Sequence, residues 1–169
     1  MKNYNIEFKW ALVFAGTILL WNTIEEIAGF HNKYIASQPI FGAIILIPAV
    51  IIYVFALKEK RTKWYGGIMN YKQGVLSGVI LSLMIGALSI LTSNINLRFI
   101  APQYLSNAAD YAVSKGTMTA EAAKQQFNLS GYIVTGAIGA VITGAIITAV
   151  VMLFLRRNKH TTAASSINA

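Results

Sequence analysis

Long apolar runs separated by short polar segments dominate the sequence. Four such runs, at residues 8–28, 40–57, 74–101 and 132–155, contain few charged residues. Apolar helices of about 17–25 residues reach across a hydrocarbon core about 30 Å thick. The pattern therefore predicts an all-α integral membrane protein, a bundle of four transmembrane helices.

The segment 103–128, between the third and fourth runs, has a different pattern. Apolar residues recur there at three- and four-residue intervals between positions 104 and 112, the spacing of one helix face. Thr117 or Thr119 then stands where it can cap a second short helix. We expect an extracytoplasmic amphipathic helical hairpin that lies over the bundle.

Composition supports one membrane domain over residues 1–157. Of the 169 residues, 56% are hydrophobic and 12% are charged, against about 25% charged in soluble domains. The polar residues 158–169 are expected to form a disordered cytoplasmic tail. The absence of cysteine excludes disulfides, thiolate metal sites and cysteine nucleophiles.

The formal net charge of +8 is explained by membrane topology rather than by nucleic-acid binding. Lysine and arginine collect at the ends of the apolar runs, ten on one side and four on the other, and the basic side is cytoplasmic. We therefore expect a multi-pass protein with both termini in the cytoplasm, where anionic lipid headgroups contact the basic residues. The ten are Lys2, Lys9, Lys58, Lys60, Arg61, Lys63, Lys72, Arg156, Arg157 and Lys159, and the four are Lys33, Arg98, Lys115 and Lys124.

Small residues recur every fourth position in the third and fourth runs. Such ladders let two helix backbones approach closely, so the two runs are predicted to pack as antiparallel neighbours. The alternative is chance, since small residues are common in membrane spans. The ladders are Gly74, Gly78, Ser82 and Gly86 in the third run, and Gly136, Ala140, Gly144 and Thr148 in the fourth.

Two prolines shape the second run. Pro39 suits the first turn of a helix, where its missing N–H is not needed. Pro48 lies in the middle of the run, removes one backbone hydrogen bond and predicts a kink. The kink is interpreted as a structural bend, with a hinge as the alternative.

Acidic residues near the end of the first run form the candidate polar site. Glu25 and Glu26 are costly to bury and could mark an ion or proton path. Arg98 is expected at a similar height, which suggests a Glu–Arg pair, and Asn22 could bond across helices. The alternative interpretation is an interfacial pair in contact with headgroups and water.

Four short motifs carry a family resemblance. They are Tyr71-Lys72-Gln73 at the start of the third span, Pro102 followed by Tyr104, the turn 117–121, and the basic pair Arg156-Arg157. With them the chain resembles the small bacterial four-span membrane proteins known as domain of unknown function 4199. The resemblance implies the same fold and a bacterial inner-membrane location, and it brings no catalytic residues.

No sequence motif indicates chemistry. His31 and His160 lack metal-ligand spacing, and phosphate-loop, dinucleotide and serine-elbow motifs are absent from the sequence. We predict no catalytic, cofactor or metal site and no enzyme. The expected role is that of an accessory or interaction protein, with a homo-oligomer or another membrane protein as partner. The alternative is a small oligomeric ion or small-molecule transporter or channel, in which Glu25, Glu26 and Pro48 would be the moving parts.

Overall fold

The apolar runs fold into helices because a helix satisfies its own backbone hydrogen bonds where water is scarce. A computed structural model describes residues 4–157, and within this range every regular element is helical. The predicted tail 158–169 lies outside the described residues. The helices are α1 (Asn5–Ile27), α2 (Gln38–Ala43), α3 (Leu46–Lys63), α4 (Tyr71–Ile95), α5 (Tyr104–Ser114), α6 (Ala120–Gln126) and α7 (Leu129–Leu155).

By length and composition, three helical segments of residues 4–157 could cross a membrane. They are 35–63, 71–100 and 129–155, which correspond to the second, third and fourth predicted spans. Helix α1 matches the first predicted span in position but carries charged residues near both of its ends. The all-helical and membrane-compatible character of the chain is thus confirmed.

The second span is broken four residues before Pro48. Pro48 has no N–H to donate to Ile44, and the freed Ile44 carbonyl instead accepts from Ile47 N at 3.0 Å. Helix α2, with Pro39 in its first turn, therefore ends at Ala43 and α3 begins at Leu46. Helix α3 continues through the basic segment to Lys63, beyond the predicted end of the span at Leu57.

The third span begins with a reciprocal cap. Gln73 N donates to Asn70 Oδ1 at 2.9 Å, and Asn70 N donates to Gln73 Oε1 at 3.0 Å. After Ile95 the helix widens into a π turn over Asn96–Ile100, closed by a bond of 2.7 Å from Ala101 N to the Asn96 carbonyl. Pro102 follows, and the predicted run 74–101 ends there as expected.

The predicted helical pair between the third and fourth spans is present as α5 and α6. Of the two candidate caps, Thr119 is the one used, since its hydroxyl accepts from Ala122 N at 3.2 Å. Asn128 caps α7 in the same way and accepts from Gly131 N at 2.7 Å. Helix α7 therefore begins three residues before the predicted Tyr132.

Helices α4 and α7 are antiparallel neighbours along the small-residue ladders. A Cβ atom on Gly78 would collide with Thr148, and one on Gly74 would collide with Met152. Ser82 Oγ and the Tyr53 hydroxyl occupy the space beside Gly144, where a Cβ would otherwise stand.

Two further ladder positions differ from each other. A Cβ on Gly86 would lie 2.6 Å from Val141 Cγ2, so this glycine is also needed for close packing. A Cβ on Gly136 would meet nothing within 4 Å. Its assignment to helix packing is wrong, because Gly136 lines a cavity instead of a helix contact. Ala140, one turn further on, is half-buried against the core around Ala11 and Tyr53.

Candidate functional site

A cavity of about 270 Å³ lies between α1, α3, α4 and α7. We call the end of the bundle where α1 ends and α7 begins the hairpin end, and the opposite one the terminal end. The cavity extends from the middle of the bundle toward the hairpin end. Its apolar wall includes Phe14, Ile18, Ile45, Ile85 and Leu88, and its polar lining includes Asn22, Ser89, Thr92, Ser93, Asn96 and Tyr132.

Tyr53 closes the cavity toward the terminal end. Its ring is almost completely buried, and its hydroxyl lies 2.9 Å from Ser82 Oγ. Ser82 in turn donates to the Gly78 carbonyl at 2.7 Å. These groups lie where α3 meets the tight α4–α7 contact, so the cavity ends on a packed floor.

Asn96 is the polar residue of the cavity wall that lacks a full set of partners. The residue is 2% exposed, and among the described residues its Oδ1 has no hydrogen-bond partner. A buried polar atom left unsatisfied costs about 1–3 kcal/mol. Asn96 opens the π turn, which changes the rotation of the following residues relative to a regular helix. The unpartnered oxygen is enclosed by the surrounding side chains beside the cavity.

A buried cluster of ionisable side chains lies at the hairpin end. His31 Nε2 is 3.1 Å from Glu25 Oε2, and His31 Nδ1 is 3.1 Å from Glu26 Oε2. Glu25 also accepts from Trp21 Nε1 at 3.2 Å. The cluster is thus built on the end of α1 and the loop after it, with one ring nitrogen of His31 at each carboxylate.

The local chain path explains this cluster. Gly29 follows α1 with φ of +81°, a conformation that a residue with a Cβ adopts only with strain. The chain reverses there, and His31 returns over the last turn of α1. The sequence signal is a histidine five and six residues after two acidic residues, with a glycine between them. This pairing of His31 was not predicted.

The predicted pairing of Arg98 with the acidic residues is wrong. Arg98 is exposed, and His31 occupies the place beside Glu25 and Glu26 that the prediction gave to it. Asn22 does not join this cluster either and lines the cavity. The structure thus brings Glu25 and Glu26 together but separates them from Arg98 and Asn22.

Helix α5 covers the hairpin-end cluster. Asn107 Nδ2 donates to the His31 carbonyl at 2.9 Å, and the Tyr104 ring lies 4.8 Å from the imidazole. Burial, with a smaller contribution from nearby Tyr132 and Glu25, raises the pKa of Tyr104 well above its ordinary value of 10.0. The phenol is therefore neutral at physiological pH and serves as a lid over the charged group.

A second buried cluster lies at the terminal end. Lys60 Nζ lies 2.8 Å from Glu7 Oε1, and Ser77 Oγ donates to the same oxygen at 2.7 Å. Glu7 is 2% exposed and Lys60 is 4% exposed. The assignment of Lys60 to the headgroup-facing basic residues is wrong, because this lysine points into the bundle. It pairs with Glu7, and Glu7 in turn connects α1 with α3 and α4.

Glu59 makes a more exposed connection between α1 and α3. It accepts from Trp10 Nε1 at 2.7 Å and pairs with Lys63 at 2.9 Å and with Lys9. Helix α1 is therefore held at both ends by its own charged residues and their partners.

The arrangement can bind but is poor in reactive groups. Among the residues that line the cavity there is no Asp, Glu, Lys, Arg or His. Within residues 4–157, no group of three or more His, Cys, Asp or Glu is arranged to hold a metal ion. The cavity offers hydroxyl and amide groups together with an apolar surface, which suits a neutral molecule.

Comparison with known proteins gives one match. A family model described as "Protein of unknown function (DUF4199)" matches residues 9–157, a range that contains the cavity and the hairpin-end cluster. Neither the curated proteins nor the solved structures include a match to the chain. The family resemblance drawn from the sequence motifs is confirmed.

Proposed function

Because this chain belongs to the DUF4199 family, whose description assigns no function, we propose a role from the geometry of the chain itself. The protein is a four-span protein of a bacterial inner membrane. It is non-catalytic and acts by contact with a second copy of itself or with another membrane protein.

The pairing of its charged residues supports α1 as a further membrane span beside the three apolar helical segments. A helix of 23 residues extends about 35 Å at a rise of 1.5 Å per residue. Its buried acidic residues would be costly in lipid if they were unpaired. Glu7 has Lys60 and Ser77 as partners, and Glu25 has His31. Helix α1 can therefore cross a bilayer inside the bundle although its sequence is less apolar than the other spans.

Charge distribution supports the orientation. The terminal end carries most of the lysines and arginines, and loops rich in these residues stay in the cytoplasm. Both termini are then cytoplasmic, and the α5–α6 pair lies on the extracytoplasmic side. The bacterial inner membrane is what the family resemblance implies.

The outer face of α7 is the observation that carries the contact function. Large apolar residues recur there every fourth position and are more than half exposed, while the opposite face packs on α4. A straight, regular ridge of this kind fits the groove of another helix. The ridge consists of Val134, Ile138, Ile142, Ile146 and Val150.

Single-cysteine crosslinking tests this proposal, since the chain contains no cysteine of its own. Ile142→Cys and Ile146→Cys would be oxidised in native membranes, where a second copy gives a disulfide-linked dimer. A maleimide–diazirine reagent on the same cysteines would capture a different membrane protein. Leu83→Cys is the matched control, because Leu83 is an exposed apolar residue on α4. Monomer alone, or equal crosslinking at Leu83, would remove the contact function.

The break before Pro48 and the cavity beside it favour transport as a second candidate. A transporter needs a site that opens to alternate sides, and a helix broken at a proline can supply the hinge. The hairpin-end carboxylates would then carry the coupled proton. Flux of protons into proteoliposomes would be compared for the parent, Glu25→Gln and Glu26→Gln, and no flux in any of them would exclude this candidate.

A further inference from the structure

We propose that the arginines at the junction of α3 and α7, at the terminal end of the bundle, bind the phosphate of an anionic phospholipid. This arginine site consists of Arg61, Arg156 and Arg157. The ridge on α7 ends at Val150, before the arginines begin. The inference therefore goes beyond the contact function and does not depend on it.

Two hydrogen bonds hold the arginine site together. Arg61 Nη1 donates to the Leu155 carbonyl at 2.9 Å, so its guanidinium lies at the peptide bond that joins Leu155 to Arg156. Arg157 N donates to the Met69 carbonyl at 3.0 Å, which fixes the end of α7 to the loop before α4. The fold thus brings an arginine of α3 to two arginines that are distant in sequence.

The positive charge of the arginine site is not balanced by any described carboxylate. Among the described residues, Glu7 and Glu59 are the acidic side chains of the terminal end. Glu7 pairs with Lys60. Glu59 pairs with Lys9 and Lys63. All five of these residues belong to α1 or α3, so the charge where α3 meets α7 is left for an anion from outside the chain.

Arginine is suited to a phosphate at this position. A guanidinium has five N–H donors in a planar fork and can bond two phosphate oxygens at once. Among the described residues, Arg61 uses a donor only on the Leu155 carbonyl. That bond also compensates the partial negative charge at the end of α7, which would otherwise repel an anion. Arg156 and Arg157 are exposed and supply two further forks.

The surroundings of the arginine site favour a lipid over a soluble anion. Leu153 and Phe154, directly before the arginines on α7, are 55% and 82% exposed. Helix α7 is apolar enough to cross a membrane. Trp64, three residues after Arg61, is also exposed, and tryptophan is enriched at headgroup level. A phospholipid supplies both an anion for the arginines and acyl chains for the apolar residues beside them.

Native mass spectrometry tests the inference. The full chain in mild detergent would be titrated with phosphatidylglycerol or with phosphatidylcholine of the same acyl chains, which carries no net charge. We expect the first molecule of phosphatidylglycerol to bind about fivefold or more tightly than phosphatidylcholine, the effect of one basic residue at an anionic lipid surface.

Two variants with the same loss of charge separate the arginine site from the general basic surface. Arg156→Gln should weaken the binding of the first phosphatidylglycerol about fivefold. Lys63→Gln is the matched control, because Lys63 lies at the same end but pairs with Glu59, and it should leave this binding unchanged. The double variant Arg156→Gln/Arg157→Gln should abolish the preference for phosphatidylglycerol, and both side chains are exposed, so the fold should be retained.

Three results would overturn the inference. Equal binding of the two lipids by the parent would mean that the arginines do not recognise the headgroup charge. Equal weakening by Arg156→Gln and Lys63→Gln would mean that only the diffuse surface charge attracts the lipid. Displacement of phosphatidylglycerol by inorganic phosphate at the same concentration would mean that the site takes a free anion. The crosslinking on the outer face of α7 is read independently of all three.

Discussion

His31 Nε2 lies 3.1 Å from Glu25 Oε2, and both side chains are only 3% exposed. Removing one partner of such a buried pair leaves the other charge without compensation, at a cost of about 3–5 kcal/mol. We expect His31→Ala to lower the free energy of unfolding by that amount, measured by thermal or denaturant unfolding in detergent.

A second substitution distinguishes this charge effect from lost packing. The double variant Glu25→Gln/His31→Ala should recover part of the stability, because a neutral amide needs no counter-charge. Lys33→Ala, in the same loop but exposed, should change stability little. If the double variant is as unstable as His31→Ala, the pairing does not explain the loss.

The Glu7–Lys60 pair gives a prediction for the terminal end. Lys60→Met keeps the aliphatic stem but leaves Glu7 buried without its cation, and we expect a loss of about 3–5 kcal/mol in unfolding free energy. Lys58→Met is the matched control, because Lys58 lies on the exposed side of the same helix. Equal stability of the two variants would contradict the buried position of Lys60.

The glycines of the ladders should respond differently to the same methyl group. Gly78→Ala forces its Cβ into Thr148 and should destabilise the protein by about 1–3 kcal/mol, the usual range for overpacking. Gly136→Ala meets open space, so it should be neutral or stabilise by about 0.5–1 kcal/mol through better helix propensity. Melting temperatures of the two variants in detergent would test the contrast.

Alkaline pH should weaken the lid formed by Tyr104. Below about pH 10 the phenol is neutral in both folded and unfolded chains. Above it the unfolded chain releases the proton while the folded chain, with its raised pKa, retains it, so stability falls as pH rises.

The variant Tyr104→Phe has no proton to release at this position. The stability advantage of the parent over Tyr104→Phe should therefore shrink between about pH 9 and about pH 12. Tyr34→Phe is the control, since Tyr34 is exposed. A constant difference between the parent and Tyr104→Phe across this range would contradict the burial of the phenol.

The sequence was sufficient where local rules decide the structure. Hydropathy predicted the apolar helices, four-residue spacing predicted the antiparallel α4–α7 contact, and Pro48 predicted the break in the second span. These features depend on residues close in the chain or on one helix face, so periodicity reveals them.

The candidate site depends on how the helices pack against one another. The periodicity of apolar residues in the sequence does not predict that packing. Lys60 looked like one of several basic residues after a span, and only the rotation of α3 turns it toward Glu7. His31 reached Glu25 through the left-handed Gly29. The cavity itself lies between four helices, so it is set by the whole bundle.

The pairing of α1 also has a consequence for biosynthesis. Glu7 leaves the ribosome before its partner Lys60, which follows 53 residues later, and before Ser77. A nascent α1 alone would leave the Glu7 carboxylate without its cation. The ion pair that holds α1 in the bundle is therefore completed only after α3 has been synthesised.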